Sequence, residues 1–325
     1  MLHPDISAFI DLAEGGPGGR AVPFHEQTPE QARELFEQTT RQLQWPAPQT
    51  PECVDLELPL RDGQITTMRL YRPRGALQET GAGQQSSPVL VFLHGGGYVV
   101  GSLDSHDGVC RELCAGTPCT VLSVGYRRAP EHKFPTALQD CADALAWLAR
   151  NGARHGLDVD RVVFAGDSVG ASLATVLATQ AARQPSGAGA ITPRLQLLCY
   201  PMTDASRRST SMELFAEGYF LESDTLEWFY EHYARDERDR HDWRFSPLLT
   251  EDLSGVAPAF IVLAGFDPLL DEGRAYGHKL RQQGVRVEMR EYGGLPHDLL
   301  RMGSVADVSG IYEELCAVLQ QAFAG

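Results

Sequence analysis

The chain has 325 residues, and its 43 acidic side chains outnumber its 28 basic ones, which gives a formal net charge of −15. So acidic a chain is a poor partner for nucleic acids or anionic membranes. No apolar run approaches the roughly 20 residues that are needed to cross a bilayer. Hydrophobic residues at 43 % and charged residues at 22 % are ordinary for a globular protein. We therefore expect a globular protein with no nucleic-acid partner and no membrane span.

The N-terminal segment carries Asp5, Asp11 and Glu14 but no early Lys or Arg, so we do not expect a secretory signal. The seven cysteines are scattered along the chain and form no Cys-x-x-Cys pair of the kind that binds zinc. Reduced, buried cysteines in a cytoplasmic protein without a metal site are the expectation.

The predicted elements begin with a helix. Thr28-Pro29-Glu30-Gln31 has the form of a capping box with proline at the first helical position, and Pro46 stops the helix. Apolar or alternating runs then predict strands at residues 54–58, 65–71, 89–93, 120–124, 162–165, 195–200, 260–264 and 285–292. Helical spacing predicts helices at residues 136–150, 169–183, 269–281 and 305–323.

Strands that alternate with helices predict an α/β fold whose mostly parallel sheet is covered on both faces. A long, aromatic-rich stretch between Tyr200 and Ala259 interrupts this alternation. A loop of that length without structure is unusual, so we predict a helical insertion. The resulting division assigns 1–50 to N-terminal helices that contribute to a cap, 51–203 and 246–325 to the sheet domain, and 204–245 to the cap insertion.

A Gly-x-Ser-x-Gly run, residues 166–170, lies between a buried strand and a helix. A sharp turn there would raise the Ser168 hydroxyl above the sheet, and the flanking glycines remove Cβ atoms that would clash. The helix N-terminus favours negative charge that develops beside it. The alternative is a serine that only caps an ordinary helix.

Residues 94–98, His-Gly-Gly-Gly-Tyr, directly follow an apolar strand. Successive glycines leave backbone N–H groups uncovered, and such donors can hold an oxyanion. A phosphate-binding loop is the alternative, although neither GKS, GKT nor GxGxxG accompanies these glycines. We expect His94, with Gly95, to orient the loop by hydrogen bonding rather than to act as a base.

A serine nucleophile needs a base and a group that orients that base. His297 follows the last predicted strand and is the candidate base. The alternative is that His297 is an ordinary histidine in a surface loop. Asp204 and Asp267 each follow a strand, where the sites of α/β proteins are built, and either could be the acid. Asp267-Pro268 also has the form of a helix N-cap, a role compatible with that of the acid.

The sequence resembles the bacterial hormone-sensitive-lipase-like (family IV) carboxylesterases, a family of the α/β-hydrolase fold. The match runs roughly from Leu70 to the C-terminus. Its motifs are HGGG at 94–97, GSLDSHD at 101–107, YRRAPEHKFP at 126–135, GDSVG at 166–170 and DPLLDE at 267–272. The resemblance implies a mostly parallel, eight-stranded sheet flanked by helices under a helical cap. It also implies that Ser168 is the nucleophile, His297 the base and Asp267 its partner.

The resemblance further implies that backbone N–H groups of Gly96, Gly97 and Val169 form the oxyanion hole. Candidate residues of the substrate pocket are Tyr98, Phe215, Tyr219, Phe220 and Leu299. Several positions depart from the family pattern and leave the pocket shape open. Val169 stands where the family has Ala, Ala171 replaces a Gly, Gly125 and Arg128 replace Asp and Leu, and Asp298-Leu299 follow the histidine in place of an aromatic residue.

The predicted activity is hydrolysis of small short-acyl or aryl esters through an acyl-enzyme, with no metal or cofactor. One alternative is an amidase, lactonase or carbamate hydrolase on the same triad, because these reactions pass through similar tetrahedral intermediates. The other is a non-catalytic small-molecule binder, which a broken triad would produce. A homodimer through an edge strand is an expectation from the family.

Overall fold

A computed structural model describes residues 2–6, 22–42, 45–73, 86–184 and 191–324, so parts of the predicted N-terminal helical region lie outside the described residues. One sheet has the strand order β1-β2-β4-β3-β5-β6-β7-β8. The β1–β2 and β2–β4 pairs are antiparallel, and the others are parallel. The predicted eight-stranded, mostly parallel fold is therefore confirmed. The strands are β1 (Glu52–Pro59), β2 (Ile65–Arg72), β3 (Ser87–Leu93), β4 (Thr120–Gly125), β5 (Leu157–Asp167), β6 (Leu195–Cys199), β7 (Ala259–Phe266) and β8 (Val287–Pro296).

The helices cover the sheet and also fill the insertion between β6 and β7. The α-helices are α1 (Pro29–Gln42), α2 (Asp107–Ala115), α3 (Thr136–Asn151), α4 (Val169–Arg183), α5 (Thr210–Leu214), α6 (Ser223–Tyr233), α7 (Leu270–Gln282) and α8 (Ala306–Ala324). The sequence pattern does not predict α2, a short helix whose buried face includes two cysteines. None of the helices in the described part of the chain is both long and apolar enough to cross a membrane.

Strand β3 shows why both faces of the sheet are buried. Val89, Val91 and Leu93 contribute to the core that α3, α4 and α7 cover. Leu90 and Phe92 contribute to the opposite core, under α2 and α8. Because successive side chains of a strand point to opposite faces, a continuous apolar run is what such a central parallel strand requires.

Strand register brings the predicted site residues to one edge of the sheet. Phe266 at the end of β7 pairs with Pro296 at the end of β8, so Asp267 and His297 leave the sheet side by side. Strand β5 ends one residue before Ser168. Since all three strands are parallel, their carboxyl ends lie at the same edge, where α/β proteins build their sites.

Two lysines, the only ones in the sequence, hold the main chain of the connection between β6 and β7. Lys133 Nζ donates to the carbonyl oxygens of Glu231 and Ala234 at 3.2 and 2.7 Å, at the C-terminal end of α6. Lys279 Nζ donates to the Leu248 carbonyl at 2.8 Å. A cation at a helix C-terminus also interacts favourably with the helix dipole. Both contacts join this connection to elements that pack against the sheet.

Close backbone approach between β7 and β8 makes Gly265 sensitive to substitution. A Cβ at this position would lie 2.6 Å from the Gly293 Cα. We expect Gly265→Ala to destabilise the protein by about 1–3 kcal/mol, because β8 must move away from β7. Gly293→Ala is the matched control, since its Cβ would meet nothing within 4 Å. Thermal unfolding followed by circular dichroism should show a lower Tm for the first variant alone, and equal Tm values would contradict the argument.

Candidate active site

Ser168 occupies a sharp turn between β5 and α4. Its φ of 54° and ψ of −123° are values that residues with a side chain rarely adopt. The turn lies against the end of β3, so a Cβ at Gly166 would be 2.6 Å from the Leu93 carbonyl oxygen. A Cβ at Gly170 would be 2.7 Å from the carbonyl oxygen of His94. Glycine at both positions therefore allows the approach that holds Ser168 at the sheet edge.

Side chains from three strand ends form one hydrogen-bonded series. His297 Nε2 lies 3.0 Å from Ser168 Oγ, and His297 Nδ1 lies 2.8 Å from Asp267 Oδ2. The other oxygen of Asp267 accepts a hydrogen bond from the Leu269 N–H at 2.8 Å. This second bond orients the carboxylate, so Asp267 caps the following turn and contacts the imidazole at the same time.

The structure does not bring the alternative acid, Asp204, to the imidazole. One of its oxygens accepts hydrogen bonds from the N–H and hydroxyl of Ser206, at 3.1 and 2.5 Å. The other pairs with Arg207 at 2.7 Å. Asp204 is thus occupied by its own loop, whereas Asp267 faces His297.

Opposing effects act on the pKa of His297. Burial disfavours the charged imidazole, but the charge and hydrogen bond of Asp267 outweigh burial and raise the pKa above its usual value. Asp298 and Asp167 act in the same direction as Asp267. The imidazole can therefore accept a proton from the Ser168 hydroxyl and keep it while Asp267 stabilises the resulting charge.

The three residues predicted to form an oxyanion hole, Gly96, Gly97 and Val169, line the same cavity as Ser168. Gly96 and Gly97 have φ values of 111° and 59°, and a Cβ at Gly97 would overlap the ring of Phe229. Val169 is the first residue of α4, where an N–H has no acceptor within its own helix. All three residues therefore border the cavity on which the Ser168 hydroxyl opens, and each carries a backbone N–H group.

A buried polar network, which the sequence analysis does not assign, supports the glycine loop. Asp167 Oδ1 accepts from the Gly95 N–H at 2.9 Å, and Asp167 Oδ2 lies 3.3 Å from His106 Nε2. Burial opposes ionisation of Asp167, but His106 and the Gly95 N–H outweigh burial and hold its pKa below the usual range. The sequence signals were the position of Asp167 directly before the serine and the presence of His106 in the GSLDSHD motif.

His94 lies within the same loop. Its Nδ1 donates to the Gly95 carbonyl at 2.8 Å, and its ring stacks on Tyr126 with centroids 4.2 Å apart. Burial, reinforced by nearby His106, lowers the pKa of His94 to about 3. A neutral imidazole that hydrogen bonds the loop, and that lies outside the Asp267–His297–Ser168 series, cannot serve as the base for Ser168.

The cavity above Ser168 has a volume of about 50 Å³. Its walls come from the N-terminal segment and the insertion as well as from the glycine loop. Apolar lining side chains include Phe24, Phe36, Phe220, Leu221, Leu226 and Phe229. Of the predicted pocket residues, Phe220 lines this cavity. Sequence spacing gave no signal for Phe24 or Phe36 as pocket residues, because they are distant along the chain from the glycine, serine and histidine motifs.

The other predicted pocket residues lie elsewhere. Tyr98 stacks on Tyr233 with centroids 3.7 Å apart. Phe215 and Tyr219 pack on the ring of Phe266, at 5.6 and 5.2 Å. Leu299 is fully buried in the core under α2 and α8. Packing between secondary-structure elements accounts for these four side chains.

One group among the described residues places three side chains of metal-ligating types together, since atoms of His106, Asp167 and Asp298 lie within 4.8 Å of one another. His106 already contacts Asp167, and Asp298 forms an ion pair with Arg301. The protein therefore supplies partners for these groups itself, and we assign no metal ion to them.

Comparison with known proteins identifies the family. The pattern of the α/β-hydrolase fold matches residues 90–301. An ethyl acetate hydrolase of Pseudomonas putida is 45 % identical over 308 residues, which cover 94 % of each chain. An arylesterase of Saccharolobus solfataricus is 33 % identical over 302 residues, 92 % of each chain. The structure of an ester hydrolase from the metagenome of Lake Arreo, in complex with a bipyridine phosphonate derivative, has a TM-score of 0.90 and 34 % identity, with each chain fully covered.

The chain therefore belongs to the α/β-hydrolase family. The predicted resemblance to its hormone-sensitive-lipase-like carboxylesterases is confirmed by the named esterases among its relatives.

The two histidines should titrate very differently. We expect the imidazole of His297 to have a pKa above the usual value near 6.5, because Asp267 stabilises its charged form. His94 should remain neutral down to a pH of about 3, because it is buried. NMR titration of protein labelled with ¹⁵N-histidine measures both, with His297→Gln to assign the signal. A His297 pKa below 6.5 would contradict the proposed balance of charges.

Proposed function

We propose that Ser168, His297 and Asp267 are the catalytic triad of this carboxylesterase and that its substrates are small esters. The observation that carries the proposal is the hydrogen-bonded series from Asp267 through His297 to Ser168, which opens on a cavity lined by backbone N–H groups. The names of the relatives, ethyl acetate hydrolase and arylesterase, support ester hydrolysis of this kind.

In the first half of the reaction, Ser168 Oγ attacks the ester carbonyl while His297 Nε2 takes the hydroxyl proton. The carbonyl oxygen becomes an oxyanion that accepts hydrogen bonds from the N–H groups of Gly96, Gly97 and Val169. His297 then gives its proton to the leaving alcohol, the C–O bond breaks, and an acyl-enzyme remains. In the second half, His297 activates water in the same way, and the acid leaves Ser168.

The cavity volume supports a short acyl group or a small alcohol. About 50 Å³ corresponds to roughly three to five water-sized positions, which is enough for an acetyl group but not for a long chain. We infer that the N-terminal segment and the insertion act together as the cap that encloses this space. Phe24 of the first and Phe229 of the second support this, since their rings lie 6.3 Å apart above the cavity.

We further infer a cytoplasmic protein that forms a homodimer through an edge strand. All seven cysteines are free and six of them are buried, which supports a reducing compartment. The edges of the sheet are β1 and β8. Light scattering coupled to size-exclusion chromatography measures the assembly, and a monomer at all concentrations would contradict the dimer.

The triad is tested by turnover of chromogenic esters. We expect Ser168→Ala to lower kcat by about four to six orders of magnitude, as loss of a triad nucleophile does. Asp267→Asn should cause a loss of about three to four orders of magnitude, because the imidazole loses its charged partner. Asp204→Asn is the matched control and should retain most of the activity. The assignment of Asp267 is wrong if Asp204→Asn, and not Asp267→Asn, loses the activity. Rates on matched amide and ester substrates distinguish an amidase from an esterase.

Pocket size is tested by shortening one wall. Leu226 lines the cavity, whereas Leu177 is equally buried but lies in α4 outside the lining. We expect Leu226→Ala to raise kcat/KM for butyrate relative to acetate esters by about tenfold, because a methylene contributes roughly 1–3 kcal/mol to such discrimination. Leu177→Ala should lower Tm and leave the ratio unchanged. A ratio that responds equally in both variants would show that this wall does not limit the acyl group.

A further inference from the structure

One arginine joins the loop of His297 to the N-terminal helix. Arg301 Nη1 forms an ion pair with Asp298 Oδ2 at 2.5 Å, and Nη2 donates to the Thr40 hydroxyl of α1. Its guanidinium lies over the ring of Phe36, with Cζ 3.8 Å from the ring centroid. Arg301 and Asp298 are 7 % and 8 % exposed, so both charges are largely removed from water. A buried guanidinium that pairs and stacks in this way holds its partners in defined orientations.

Two of the partners of Arg301, Asp298 and Phe36, border the cavity above Ser168. Asp298 directly follows His297 and has a φ of 67°, a conformation that residues with a side chain seldom adopt. Asp298 and Phe36 both line the cavity above Ser168. The backbone reinforces the connection, since the Arg301 N–H donates to the Asp298 carbonyl at 2.9 Å.

We propose that Arg301 is a positioning residue that fixes the His297 loop against the Phe36 wall of the cavity and thereby aligns the imidazole with Ser168. This inference rests on the proposed catalytic role of His297. Arg301 itself touches none of the three triad residues. It acts through Asp298 on one side and through helix α1 on the other, so enclosure of the cavity and alignment of the base depend on the same guanidinium.

The surrounding charges give this role a measurable signature. The carboxylates that raise the pKa of His297 against its burial are Asp267, Asp298 and Asp167. Asp298 in turn faces His106, Asp167 and Arg301. Because Arg301 is its close cationic partner, loss of the guanidinium leaves the Asp298 charge uncompensated and moves the pKa of His297 further upward. Loss of the Asp298 charge moves it downward.

The test compares Arg301→Met and Asp298→Asn by the pH dependence of kcat/KM. Activity requires neutral His297, so its acidic limb follows the pKa of that residue. We expect the limb to move upward by about half a pH unit in the first variant and downward in the second. Arg301→Met should also lower kcat/KM about tenfold or more, because small displacements of a catalytic base are costly. Arg301→Lys should return the acidic limb to its wild-type position but restore only part of kcat/KM. The lysine ammonium keeps the charge but lacks the planar guanidinium that contacts several partners at once.

Arg161→Met is the control, because Arg161 also pairs with an aspartate three residues earlier, Asp158 at 2.7 Å, far from the site. This variant should change neither kcat/KM nor the acidic limb of the pH profile. An unchanged kcat/KM and an unchanged pH profile in Arg301→Met would overturn the proposal. So would acidic limbs that move in the same direction in Arg301→Met and in Asp298→Asn. If Arg301→Met does not fold, Arg301→Lys and Asp298→Asn carry the comparison.

NMR titration of His297 in the same variants separates this inference from the proposed function. If the protein hydrolyses no ester, turnover is absent even in the wild type, while the imidazole pKa still reports the effect of Arg301. If the wild type hydrolyses esters but the pKa of His297 is the same in wild type, Arg301→Met and Asp298→Asn, the positioning role alone is wrong.

Discussion

Close packing of the Ser168 turn against the end of β3 is the constraint on which the site depends. Gly166 and Gly170 allow the turn to approach the carbonyls of β3 without a Cβ between them. Asp167 then reaches across and accepts the Gly95 N–H. The serine and the glycine loop are consequently held at a fixed separation before any substrate arrives. Donors fixed in advance need no reorganisation when charge develops, which is why such an arrangement favours catalysis.

Much of the fold and of the candidate site could be predicted from the sequence. The apolar runs of β3 and β5 can only be buried between two layers, and the glycine motifs demand the turns that follow them. The end of β7 also placed Asp267 at the correct edge. The strand pattern alone left Asp267 and Asp204 equivalent, because the choice depends on where each side chain points, and only the family resemblance favoured Asp267. The structure shows Asp204 turned toward Arg207, a local bond that leaves no mark in strand patterns.

The pocket walls were the least predictable part. An aromatic residue in an irregular segment follows no periodicity, so Phe215 and Phe220 look equivalent in the sequence, yet only Phe220 lines the cavity. Phe24 and Phe36 reach it from far along the chain, through packing that no motif records. The reactive groups and the cavity walls thus have different origins. Sheet register sets the positions of the reactive groups, whereas packing of the N-terminal segment and the insertion sets the walls.

The placement of the two lysines has a consequence for chemical modification. Most basic side chains here are arginines, so reagents that acylate or cross-link amines have Lys133 and Lys279 as their only side-chain targets. Both amines donate to carbonyls between β6 and β7, Lys133 within the insertion and Lys279 just after it. Acylation would remove these bonds and loosen the connection between β6 and β7, from which Leu226 and Phe229 line the cavity, while leaving the sheet and its hydrogen-bonded series intact. Attachment of this enzyme to a solid support through its lysines would therefore alter substrate selection before it altered the reaction itself.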